Sequence, residues 1–121
     1  MNILIIEDDD AVREFLRLGL NSMGHEVTVA DNGEDGVDTC LKSSFDLVIT
    51  DMNMPRKNGI EAILEILHLK PDQQVIAISG IPSQAARNNF LNTAYMMGVT
   101  NYLVKPFGLS ELKKAIGQFT R

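Results

Sequence analysis

Four points of this chain carry residue types able to act together: Glu7-Asp8-Asp9-Asp10, Asp51, Ser79 and Lys105. Glu7, Asp8 and Asp51 cannot all stay ionised at close range without a countercharge. A hard divalent cation with oxygen ligands relieves that repulsion, and Mg²⁺ is the usual one where carboxylates meet a phosphate. Lys105 adds a point charge that can hold a phosphate oxygen, and Ser79 a hydroxyl that can donate to another. A carboxylate beside a metal can act as a nucleophile and form an aspartyl phosphate, so Asp51 is a candidate acceptor. Phosphoryl transfer asks mainly for positioning and charge neutralisation, and these residue types offer both. Taken singly, each has an ordinary explanation. The acids would be a helix cap and solvated turn, with Asp10 the expected cap, and Asp51 a turn residue before Pro55. Ser79-Gly80 would be a loop and Lys105 a surface lysine. Only their convergence argues for chemistry.

The elements that must position them alternate from end to end. Asn2 to Ile6 is a short apolar run rich in branched residues, which predicts a buried strand. A helix follows, with Val12, Phe15, Leu16 and Met23 at helical spacing, and Gly24 ends it. Val27 to Ala30 is a second strand. Asn32-Gly33 breaks the chain before a helix to Lys42 with Val37 and Leu41 inward. Leu47 to Ile49 is a third strand. Asn58-Gly59 opens a third helix with Ile60, Ile63, Leu64 and Leu67 on one face, and Pro71 stops it. Val75 to Ile78 is a fourth strand, Ser83 to Met97 a fourth helix ended by Gly98, and Tyr102 to Val104 a fifth strand. Ser110 is the expected cap of a last helix with Leu112, Ile116 and Phe119 as its stripe. Strands that are apolar throughout, alternating with helices, predict an α/β sandwich with a parallel sheet covered on both faces. In such sheets ligands lie beyond the carboxyl ends of the strands. Glu7 and Asp8, Asp51, Ser79 and Lys105 follow the first, third, fourth and fifth strands, so this fold would gather them at one edge.

The bulk properties narrow the function classes. A chain of 121 residues fits one domain, residues 1–121, and 45% hydrophobic residues suffice for a core. A net charge of -5 argues against general nucleic-acid binding, and Arg56-Lys57 and Lys113-Lys114 are isolated basic pairs. One cysteine, Cys40, suits a small half-buried residue in a reducing compartment. No apolar run approaches the ~20 residues of a membrane span, and no signal-peptide layout opens the chain, so membrane insertion is not expected and a cytoplasmic location is. His25 and His68 cluster with no other ligand types and receive no chemistry.

The runs Ile3-Leu4-Ile5-Ile6-Glu7-Asp8-Asp9, Asp46-Leu47-Val48-Ile49-Thr50-Asp51-Met52-Asn53-Met54-Pro55, Asn58-Gly59 and Tyr102-Leu103-Val104-Lys105-Pro106-Phe107 resemble the receiver domains of bacterial response regulators, over essentially the whole chain. The resemblance implies a flavodoxin-like, doubly wound five-stranded sheet in the order 2-1-3-4-5 with five helices. It implies Asp51 as phosphoacceptor, Asp8 as a direct metal ligand, Glu7 as a ligand through water, and the backbone carbonyl of Asn53 completing the shell. The metal would be Mg²⁺, with Mn²⁺ as an alternative. Lys105 matches the family lysine, its bond to Pro106 cis; Ser79 matches the switch hydroxyl and Tyr102 the switch aromatic. Phosphorylation would re-present the surface of the fourth helix, fifth strand and fifth helix to a downstream protein. A histidine kinase or histidine phosphotransferase would donate the phosphoryl group, and the protein would be a switch, a monomer or weak dimer, with no separate substrate.

The sequence departs from that pattern between Ser79 and Lys105, where several extra residues fall around Ile81 to Thr93 on the output face. An apolar Ile81, two past Ser79, suggests a long-lived phosphorylated state. No effector segment is read after the last helix, so output through protein contacts is expected, an excised domain being the alternative. Three rivals are weaker. A haloacid-dehalogenase-type phosphohydrolase needs an aspartate two past the nucleophile, where this chain has Asn53. A nucleotide or flavin module needs a glycine-rich turn after the first strand, where Glu7-Asp8-Asp9 stands. A degenerate receiver would lack the acceptor, metal acids or lysine, all present here.

Overall fold

A computed structural model describes residues 1–52, 59–80, 98–99 and 101–118. Its elements are β1 (Asn2–Ile6), α1 (Asp10–Ser22), β2 (Glu26–Ala30), α2 (Gly33–Lys42), β3 (Leu47–Asp51), α3 (Gly59–Leu69), β4 (Gln74–Ser79), β5 (Asn101–Val104) and α4 (Leu109–Gly117). The helix expected over Ser83 to Met97, and with it Ile81 and the extended segment, lies outside the described residues, as does Phe119. The last helix of the sequence reading is therefore α4 here.

The five strands form one parallel sheet in the order β2-β1-β3-β4-β5, with Ile3 beside Leu47, Ile49 beside Ile76 and Ile78 beside Leu103. β1, β3 and β4 lie inside the sheet and are covered on both faces. That is why their runs are apolar without alternation. Side chains of successive residues then fall into two cores. Leu4, Ile6, Val48, Val75 and Ala77 pack with Val37 and Cys40 of α2 and with Ala62, Ile63 and Ile66 of α3. Ile3, Ile5, Leu47, Ile49, Ile76, Ile78 and Leu103 pack with Leu16 and Leu20 of α1 and with Leu112, Ala115 and Ile116 of α4. Each fully buried aliphatic side chain contributes about 1.5–3 kcal/mol, and Ile3 to Ile6 of β1 are all fully buried.

Several local expectations need correction. Asp9, not Asp10, caps α1: its backbone is extended and its carboxylate accepts from the N–H groups of Ala11 and Val12. Asp10 is instead the first helical residue, paired with Arg13. Gly108, not Ser110, precedes α4, and its N–H donates to the Glu111 carboxylate at 3.0 Å. β2 is not apolar throughout, because an edge strand needs covering less: Glu26, Thr28 and Val29 are exposed. Leu41 and Leu64 face solvent at 43% and 51%, since Cys40 and Ile63 take the inward positions one residue away. Gly24 does end α1, with φ +91° just beyond its cap. The α2 C-terminus is held from outside the helix by the Lys70 ammonium, which donates to the carbonyls of Cys40 and Ser43.

Candidate functional site

The site is built where β1, β3, β4 and β5 end. Glu7 has just left β1; its N–H still bonds the carbonyl of Ala30 at 3.0 Å, and its side chain is fully buried. Asp8 follows, exposed, before Asp9 turns the chain into α1. Asp51 is the last residue of β3 and is 2% exposed. Beyond it, Met52 N–H bonds the Ile78 carbonyl at 2.9 Å, so the end of β3 stays pinned to β4. Ser79 ends β4, and its carbonyl accepts from the Lys105 N–H at 2.7 Å. That bond carries the pairing of β4 with β5 past the strand end and aims Lys105 back across the sheet. The Lys105-Pro106 peptide is cis, as the resemblance implied.

These residues do come together. The Lys105 ammonium donates to Asp51 Oδ2 at 2.9 Å and to Glu7 Oε1 at 3.0 Å. Glu7, Asp8 and Asp51 each offer a carboxylate oxygen, and these oxygens lie within 4.8 Å of one another. Among the described residues, three acids thus cluster where the Lys105 ammonium pairs with two of them. Burial, then the charge of Asp51, pushes the Glu7 carboxyl up to about 7, against the opposing pull of the Lys105 bond. Burial alone would lower the Lys105 ammonium, but its bonds to Asp51 and Glu7 outweigh that and hold it above the usual lysine value. Two buried polar atoms are left without a partner among the described residues, Glu7 Oε2 and Ser79 Oγ. Ionised Glu7 can only accept, so Oε2 cannot bond Asp51 unless it carries a proton. A buried carboxylate oxygen, an excess of negative charge and converging hard oxygen donors suit a small divalent cation, and the group fits these residues.

Tyr102 is 37% exposed on β5, where it pairs with Ala77. Asn53 lies outside the described residues. Cys40 and Met52 are core residues, and Met54, Met96 and Met97 fall outside the described residues. One participant escaped sequence reasoning. Arg13 reaches from the first turn of α1 to the Glu7 carbonyl at 2.9 Å. Its spacing of six from Glu7 is a signal only once the strand-turn-helix junction is known. Gly59, read from the sequence as opening the third helix, is the first residue of α3 and is packed on β3. A Cβ there would stand 1.8 Å from the Asp51 carbonyl oxygen.

The profile of the response regulator receiver domain matches residues 3–117. The chain belongs to that family. This receiver domain is 33% identical over 112 residues to the response regulator MprA of Mycolicibacterium vanbaalenii, a match covering 93% of the chain and 47% of that protein. It is 34% identical over 116 residues to the DNA-binding transcriptional regulator NtrC of Azospirillum brasilense, covering 94% of the chain and 23% of that protein. The chain thus spans about half or less of the length of these curated relatives. Among solved structures it resembles the response regulator TrrA of Thermotoga maritima, solved in complex with Mg²⁺ and BeF. That match has a TM-score of 0.84 and 30% identity and covers 98% of this chain and 97% of that one. The receiver domain is therefore a signalling module of a two-component system, on the doubly wound fold its sequence implied. No helix among the described residues is long and apolar enough to cross a membrane.

Proposed function

We propose that this receiver domain is a phosphorylation switch that takes a phosphoryl group onto Asp51. One observation carries the reading: a buried carboxylate at a strand end, bonded to a lysine and flanked by two further acids. The donor is the phosphohistidine of a histidine kinase or histidine phosphotransferase. A carboxylate oxygen of Asp51 forms the new P–O bond, the P–N bond breaks, and its electron pair returns to the imidazole, which then takes a proton. Glu7, Asp8, Asp51 and the backbone carbonyl of Asn53 would hold Mg²⁺, or Mn²⁺ in its place. The ion supplies charge neutralisation for the transferred group when bound.

This chain's own residues supply the rest. Lys105 orients Asp51 through its hydrogen bond, and its ammonium stands ready for a phosphoryl oxygen. Ser79 Oγ, buried and without a partner among the described residues, offers a hydrogen bond to another. Withdrawal of Ser79 toward that group leaves room for Tyr102 to turn from its half-exposed position. The surface of the helix expected over Ser83 to Met97, β5 and α4 is then presented to a downstream protein. The switch consists of self-catalysed phosphotransfer and slow self-hydrolysis, with no separate substrate.

We further propose that residues 1–121 act as one domain, cytoplasmic, as a monomer or weak dimer. A net charge of -5 favours protein partners over nucleic acid for this segment. The test is intact mass after incubation with acetyl phosphate, with and without Mg²⁺, beside Asp51→Asn. A single adduct needing both the metal and Asp51 supports the proposal. No adduct, with no Mg²⁺ binding, makes the chain an interaction module, and an adduct that survives Asp51→Asn moves the acceptor elsewhere.

A further inference from the structure

We infer that Arg13 is a positioning residue for the acidic cluster, acting through the backbone of Glu7. The inference rests on the proposed metal site and adds a residue that touches neither metal nor phosphoryl group.

Glu7 sits where β1 stops being a strand. Its N–H is still paired with Ala30, but Glu7 itself lies one residue beyond the end of β1. A partly buried carbonyl in that position needs a donor. Arg13 Nη1 supplies one at 2.9 Å, while Nη2 reaches Asp10. The guanidinium therefore spans from the end of β1 to the first turn of α1. Three further bonds fix the same junction: Asp9 N–H donates to Glu7 Oε1 at 3.3 Å, and the Asp9 carboxylate accepts from the N–H groups of Ala11 and Val12. Asp8 lies between these anchors. With the backbone before and after it held, its carboxylate is kept within 4.8 Å of those of Glu7 and Asp51 despite its exposure. The Asp10 pair contributes little by itself, because Asp10 is 90% exposed. The bond to the Glu7 carbonyl is the one that orders the site.

Charge and geometry make opposite predictions here, which gives the inference a clean test. If Arg13 mattered only as a nearby cation, its removal would strengthen Mg²⁺ binding. If it positions the acids, removal weakens binding, since loss of a supporting bond behind a metal ligand typically costs 10–100-fold in affinity. The experiment is calorimetric titration of the full chain with Mg²⁺ alone, for wild type, Arg13→Met and Arg13→Lys, with thermal unfolding of the metal-free proteins alongside. Arg13→Met is expected to raise the Mg²⁺ dissociation constant by about tenfold, with Arg13→Lys between it and wild type. If Arg13→Met does not fold, Arg13→Lys, which keeps the charge but loses the two-pronged reach, carries the test. A variant affinity equal to or tighter than wild type overturns the inference and leaves the site reading intact. Absence of Mg²⁺ binding by the wild type overturns the site reading and this inference with it.

Discussion

The first residue of α3 rests directly on the phosphoacceptor candidate: a Cβ at Gly59 would stand 1.8 Å from the carbonyl oxygen of Asp51 and 2.4 Å from Met52 Cα. Both neighbours are backbone, so neither can rotate away. Gly59→Ala must push α3 off the end of β3. The expected cost is about 1–3 kcal/mol of stability, from overpacking against a well-packed neighbour. Acetyl phosphate labelling should slow as well, because Asp51 moves. Urea unfolding and a labelling time course check both, and a variant indistinguishable from wild type would refute the close approach.

Lys105 is the cation that Glu7 and Asp51 share. Lys105→Met leaves two buried carboxylates facing each other. Removing one partner of a fully buried pair costs 3–5 kcal/mol, but the Lys105 side chain is 25% exposed, so about 2 kcal/mol is expected. Added Mg²⁺ should recover part of that loss by replacing the missing charge. Denaturation midpoints with and without 10 mM-scale Mg²⁺, roughly the range for a weak site, measure it.

Glu7→Gln works in the opposite direction. It removes one of the two fully buried acids while keeping an acceptor for Lys105 and for Asp9 N–H. At pH 8, above the value of about 7 to which burial raises Glu7, the metal-free variant should be more stable than wild type by on the order of 1 kcal/mol. It should also lose the stabilisation that Mg²⁺ gives wild type. Thermal scans of both proteins, each with metal and with a chelator, separate the two effects. A metal-free variant less stable than wild type would sink the charge argument.

At the opposite end of the sheet, His25 Nδ1 lies 2.9 Å from the Met1 ammonium. Burial, and then the charge of that amine, lower the imidazole from its usual 6.5. A lowered histidine means the unfolded chain binds the proton more readily. The contribution to stability is present above 6.5 and is lost as pH falls below it, levelling off once the folded protein is also protonated. His25→Ala should therefore show a flatter stability profile on the acid side of 6.5. An NMR titration of the His25 ring with a midpoint at or above the ordinary value would contradict this.

The sequence by itself determined the elements and their order. Uninterrupted apolar runs at β1, β3 and β4 could only be strands buried on both faces, and the alternation with helices dictated a parallel sheet. Once the sheet is parallel, chain polarity alone brings Glu7, Asp51, Ser79 and Lys105 to one edge. Their convergence was legible for that reason, although they are up to 98 residues apart. What remained hidden was whatever depends on one-residue phase or on backbone geometry. Asp9 and Asp10 are equivalent as letters, and only the extended backbone at Asp9 selects the cap. Leu41 and Leu64 are as apolar as their buried neighbours Cys40 and Ile63, and only the rotation of α2 and α3 on the sheet decides which is covered. Tertiary structure alone set the shared bonds of Lys105, the seat of Gly59 on Asp51 and the reach of Arg13 to Glu7. Each of these is a contact between residues of different segments of the chain, two of them made to backbone, and side-chain type does not encode such a contact until the fold has fixed the distance.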